Sequence, residues 1–125
     1  MARILVIDDN EGYRQMVRQM LEMAGYEVVD AEDGAEGVKV FQAERPDLVI
    51  TDVIMPEQEG IETIIGLRRL DADIQIIAMS GGGGIDADDL LSIAGKLGAQ
   101  QILAKPFRRD QLLASVRQGL ETKAA

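Results

Sequence analysis

The sequence predicts an α/β fold: a doubly wound parallel sheet of five strands in (βα)5 alternation. Short apolar runs recur along the chain, as strands buried on both faces of a sheet require. Between them lie stretches whose apolar residues fall at helical spacing, the pattern of crossover helices. Three of the apolar runs also end in charged side chains, Asp8 with Asp9, Asp52, and Lys105. In a parallel sheet those ends share one edge, and ligands of open α/β sheets bind in the crevice outside it.

Ile4 to Ile7 reads as the first buried strand. Tyr13, Met16, Val17, Met20 and Leu21 form one helical stripe, which Gly25 stops. A second strand covers Glu27 to Ala31. Ala35, Val38 and Phe41 mark the next helix, ended by Pro46. Asp47 to Thr51 is the third strand. The loop MPEQEG follows, with Pro56 and Gly60, and then a helix with Ile61, Ile64, Ile65 and Leu67. Ile74 to Met79 is the fourth strand. Gly81 to Gly84 precede a helix carrying Leu90, Leu91, Ala94 and Leu97. Gln101 to Ala104 is the fifth strand, and Leu112, Leu113, Val116 and Leu120 line the last helix.

With 125 residues the chain suits one domain, expected over 1–122, with 123–125 as a frayed tail and no output domain. The core must be aliphatic, since there is no Trp and only two Phe and two Tyr. Apolar runs of a few residues fall far short of the ~20 that span a bilayer, so no membrane association is expected. The start, MARILVIDDN, has no signal-peptide plan, and a cytoplasmic address follows by default. The absence of Cys rules out disulfides and thiolate metal sites; the absence of His rules out an imidazole base and a phosphohistidine within the chain. A net charge of −9 opposes binding to nucleic acid. The pairs Arg68–Arg69 and Arg108–Arg109 read as solvated helix surface.

Adjacent residues of a strand point to opposite faces, so one of Asp8 and Asp9 must lie past the strand end, where both can reach the edge. They suit a hard cation such as Mg²⁺, for which one or two carboxylates suffice; a DD pair can equally cap the following helix. Asp52 is harder to explain by structure alone, because burying an unpaired charge is costly. A carboxylate there can serve as a nucleophile and form an aspartyl phosphate. Lys105 can pair with that acceptor, or can be a solvated lysine before a turn proline. Ser80 can donate to a phosphoryl oxygen, or can be a turn serine before glycines. Capping and turns do not account for the whole set, which comes from four strand ends on one edge.

These pieces, ILVIDDN, DLVITDVIMPEQEG, IIAMS and ILAKPF, stand in order and at matching spacing. Over essentially its whole length the chain resembles a response-regulator receiver domain of two-component signalling, of the single-domain chemotaxis-regulator kind. The resemblance implies a flavodoxin-like strand order, 2-1-3-4-5. It implies Asp52 as phosphoacceptor, and Mg²⁺ (or Mn²⁺) held by Asp8, Asp9, Asp52 and the backbone carbonyl of Ile54, with Asp9 direct and Asp8 mainly through water. It further implies Ser80 as switch hydroxyl, Lys105 as the family lysine and a cis Lys105–Pro106 bond. The implied protein is no enzyme on a separate substrate, and promotes only its own phosphorylation and dephosphorylation. Its implied partners are a sensor histidine kinase or histidine phosphotransfer protein and an unknown downstream protein, met by a monomer through a surface around Asp88, Asp89, Lys96, Ile102, Arg108 and Gln111.

Two departures qualify the resemblance. Three residues before the lysine the family usually has Tyr, Phe or His as an inward-turning switch, and here stands Ile102. Its branched side chain lacks the ring and is stiff at χ1, so a muted or rerouted change at the fifth strand is expected. The second is the run Gly81 to Gly84, which reads either as a loop ordering over the phosphoryl group, with the Gly81 N–H donating to it, or as a flexible connection. No GK[ST] follows, so it is not a nucleotide-binding P-loop. Neither Ile54 nor Gly82, two past the acceptor and two past the switch, brings a polar group to a hydrolytic water. A long phosphorylated lifetime is therefore expected, and decay within seconds would reject it. A phosphate sink or relay intermediate is the alternative output; an interaction module independent of phosphate is a third reading, opposed by the intact acidic set.

Overall fold

The computed structural model describes residues 2–52, 59–81, 96 and 98–124. Its strands are β1 (Arg3–Ile7), β2 (Glu27–Ala31), β3 (Leu48–Asp52), β4 (Gln75–Gly81) and β5 (Gln101–Lys105). They form one parallel sheet in the expected order, β2-β1-β3-β4-β5. The helices among the described residues are α1 (Glu11–Met23), α2 (Gly34–Glu44), α3 (Glu59–Leu70) and α4 (Arg109–Ala124). The helix expected around Leu90, Leu91, Ala94 and Leu97 falls on residues outside those described, as do residues 55–58 of the loop containing Pro56; Glu59 and Gly60, expected in that loop, instead begin α3.

Alternation along the strands sorts the core into two layers. Ile4 and Val6 of β1 face one side, with Leu48, Ile50, Ile77 and Met79, and there meet Val17 and Leu21 of α1 and Leu112 and Val116 of α4. Leu5 and Ile7 face the other side, with Val49 and Ile76, against Phe41 of α2 and Ile64 and Leu67 of α3. Burying each such side chain stabilises the fold by roughly 1.5–3 kcal/mol. α2 approaches β1 closely: a Cβ at Gly37 would lie 2.5 Å from Ile7 Cδ1.

Local chemistry sets the helix limits. α1 starts at Glu11, two residues before the first residue of its apolar stripe, because the Asn10 side chain caps it, accepting from the Tyr13 N–H at 2.9 Å. That cap sits directly after the acidic pair and turns the chain from the sheet edge into the helix. Asp33 caps α2, accepting from the Glu36 N–H at 2.8 Å. At the far end Arg45 adopts a left-handed conformation with φ 47°, ahead of Pro46. Gly25, with φ 95°, follows α1 as the expected stop. α4 continues beyond Leu120 to Ala124.

Candidate functional site

Strand order reverses around β1 and β3, and the carboxylates stand at the C-terminal ends of these two strands. Asp8 lies one residue past β1, held by its N–H donating to the Ala31 carbonyl at 3.2 Å. Asp52 closes β3. Both are buried, with 0% and 5% of their surface exposed, where an ionised carboxylate is costly without a partner. The partner is Lys105, the last residue of β5. Its Nζ donates to Asp8 Oδ2 at 2.8 Å and to Asp52 Oδ2 at 3.1 Å. Burial by itself would lower the Lys105 pKa. The hydrogen bond to Asp8 and the charges of Asp52 and Asp8 outweigh it, so the ammonium is held above the ordinary lysine value.

The remaining groups shape this pair. Asp8 Oδ1 accepts the Asn10 N–H at 2.9 Å, and Arg14 Nη1 donates to the Asp8 carbonyl at 2.8 Å. Asp9, the next residue, is exposed. Even so, one oxygen from each of Asp8, Asp9 and Asp52 lies within 4.8 Å of the others. Three carboxylates and one ammonium give the four groups a formal charge of −2. Clustered hard oxygens with that residual charge fit a small divalent cation.

Other expected site residues divide three ways. The β4–β5 register pairs Ser80 with Ala104 and Gly81 with Lys105, so the backbone of both lies at the same sheet edge. Ile54, Gly82, Asp88 and Asp89 fall outside the described residues. Ile102 is half-buried opposite Ala78 in β4, while Lys96, Arg108 and Gln111 are exposed. The Lys105–Pro106 bond is cis, as expected.

Three contacts at the site escaped the sequence reading. Asn10 and Arg14 brace Asp8, and their signal was an Asx cap with an arginine one turn later. Tyr13 belongs to the apolar stripe of α1 and packs on the core, but its ring also faces the Lys105 ammonium, 4.2 Å from Nζ to centroid. A separate groove of about 490 Å³ beside β2 is lined by Arg18, Asp30, Lys39 and Glu44 and lies away from the acidic cluster.

Fold and acidic crevice together define an open, doubly wound α/β module with a carboxylate cluster at its switch point, and comparison with known proteins gives the family. A family model described as the response regulator receiver domain matches residues 4–117. The chain belongs to that family, the receiver module of two-component signalling. It is 35% identical over 119 residues to the chemotaxis protein CheY of Bacillus subtilis, covering 94% of this chain and 97% of that protein. It is 38% identical over 119 residues to the response regulator MprA of Mycolicibacterium vanbaalenii, covering 93% of this chain but 49% of that protein. The chain thus spans nearly the whole of one relative and about half of the other. Among solved structures, a receiver domain from Clostridium thermocellum superposes with a TM-score of 0.89 at 30% identity, covering 99% of this chain and 98% of that one. No described helix is long and apolar enough to cross a membrane.

Proposed function

We propose that the protein is a phosphorylation-driven signalling switch, with Asp52 as phosphoacceptor. The observation that carries this reading is the Lys105 ammonium seated between the Asp8 and Asp52 carboxylates, with Asp9 within reach of both. A carboxylate oxygen of Asp52 attacks the phosphorus of a phosphohistidine on a partner protein. The new P–O bond forms as the P–N bond breaks, and the bonding pair leaves on the imidazole nitrogen. Three carboxylates would repel the incoming phosphoryl group. Lys105, already within 3.1 Å of Asp52, is placed to meet the charge on its oxygens. Asp8, Asp9, Asp52 and the Ile54 carbonyl would hold Mg²⁺ or Mn²⁺, which when bound supplies positive charge to phosphoryl oxygens and acceptor. Ser80 and the Gly81 N–H, on the strand end beside Lys105, serve as phosphoryl contacts.

The donor is a sensor histidine kinase or a histidine phosphotransfer protein, since this chain has no His. The output is an unknown downstream protein bound by a cytoplasmic monomer, through the β5–α4 face around Ile102, Arg108 and Gln111. Ile102, in place of an aromatic switch residue, favours a second reading in which the protein acts as a phosphate sink or relay. Intact mass after incubation with acetyl phosphate, with and without Mg²⁺, tests the chemistry. One phosphoryl group gained only with Mg²⁺, and lost in Asp52→Asn, is the expected result. No gain in any sample would favour a module that works without phosphate.

A further inference from the structure

Tyr13 sits in the first turn of α1, where the helix passes the acidic crevice. Two observations set it apart from the apolar stripe it belongs to. The face of its ring lies 4.2 Å from the Lys105 ammonium, on the same cation that bridges Asp8 and Asp52. The ring is itself fixed from the side by Phe107, at 5.6 Å between centroids and 83° between planes. Its hydroxyl is buried and finds no hydrogen-bond partner among the described residues.

We infer that Tyr13 is a positioning residue for Lys105: its π face, backed edge-on by Phe107, holds the ammonium over the acceptor carboxylate during phosphoryl transfer. This rests on the reading of Asp52 as phosphoacceptor. A lysine side chain is flexible, and its two carboxylate partners do not stay equivalent. When Asp52 bonds to phosphorus, that oxygen ceases to be a full counter-ion, and the ammonium must turn to the phosphoryl oxygens. The ring is a partner whose attraction does not depend on that change, because it arises from the ring quadrupole. It keeps the cation in the crevice on both sides of the transfer, as preorganised stabilisation of developing charge requires. With Ile102 in β5 lacking a ring, Tyr13 and Phe107 are the aromatic pair beside Lys105. Phe107 follows the Lys105–Pro106 bond and leads into α4, so the same pair joins the lysine to the proposed output face.

The test compares wild type with Tyr13→Phe and Tyr13→Leu, using acetyl phosphate as donor and varying Mg²⁺. Phe keeps the quadrupole and discards the hydroxyl; Leu keeps apolar bulk and discards the quadrupole. Phe is expected to phosphorylate at the wild-type rate. Leu is expected to lose roughly three- to tenfold in maximal rate, with little change in half-saturating Mg²⁺. A merely structural role would leave a folded Leu variant at full rate. Melting curves supply a second reading that needs no phosphate: the Leu penalty in the unfolding constant should shrink by roughly threefold or more in a Lys105→Met background. Leu as fast as wild type, Phe as slow as Leu, or Leu and Met penalties that simply add would each overturn the inference. A wild type that takes up no phosphoryl group overturns the reading of Asp52, and the positioning role with it.

Discussion

Removing the Lys105 charge is the most direct probe of the site's balance. In Lys105→Met the side chain keeps its apolar length, but Asp8 and Asp52 lose a donor at 2.8 and 3.1 Å. Both carboxylates are buried, so the change removes the cation that bridges two like charges away from solvent. Breaking a buried ion pair in this way costs about 3–5 kcal/mol. The low end applies, because the crevice opens to water at the exposed Asp9. For a domain of this size, about 3 kcal/mol corresponds to roughly 10 °C in Tm. The assay is thermal unfolding followed by circular dichroism in EDTA, with Asp8→Asn added as a second change. Asparagine retains an oxygen for the Asn10 N–H and offers its amide to Asp52, so the double variant should recover at least half of the loss. A Lys105→Met protein that melts within 2 °C of wild type, or a loss that Asp8→Asn deepens, would refute the reasoning.

Mg²⁺ at about ten times its dissociation constant should add roughly 1.4 kcal/mol to wild-type stability by linkage. Asp9→Asn should remove most of that gain while leaving the melt in EDTA nearly unchanged, since Asp9 is exposed; titrations of Tm against Mg²⁺ read both. Gly37→Ala should overpack Ile7, at a cost of about 1–3 kcal/mol set against about 1 kcal/mol of helix propensity. Ile7→Val removes the Cδ1 that the new methyl meets, so the two changes should be clearly less than additive in denaturant melts; strict additivity would show that α2 simply shifts away. On phosphorylation, amide spectra should move along the loop after Ser80 and little at Ile102. The opposite distribution would mean that β5 carries the switch without an aromatic ring.

The strands and their order of chemistry were legible because a parallel sheet buried on both faces demands continuous apolar runs. A charge at the end of such a run has few structural reasons to be there. That singled out Asp52 and Lys105 from the chain alone, and the motif set ILVIDDN, DLVITDVIMPEQEG, IIAMS and ILAKPF identified the family. The helix after β1 was also visible in its apolar stripe, although its start was not. That start depends on a single side-chain oxygen, Asn10 Oδ1, finding the Tyr13 N–H.

Other features were decided only when distant segments met. Asp8 and Asp9 are neighbours of identical chemistry, yet Asp8 is buried and Asp9 exposed, because the Asp8 N–H is still tied to the Ala31 carbonyl of β2 while the chain bends away at Asp9. The pairing of Lys105 with Asp8 joins residues 97 apart in sequence, and that pairing sets the charge balance of the crevice. Tyr13 shares its helical spacing with Met16, Val17 and Met20, so its apolar stripe alone foretold a core residue. Its position over the ammonium follows from how α1 packs on β1 and β2 while Lys105 and Phe107 reach it from the end of β5. Periodicity reports which face of an element is buried; which charge or ring lies across from it is set by packing between elements.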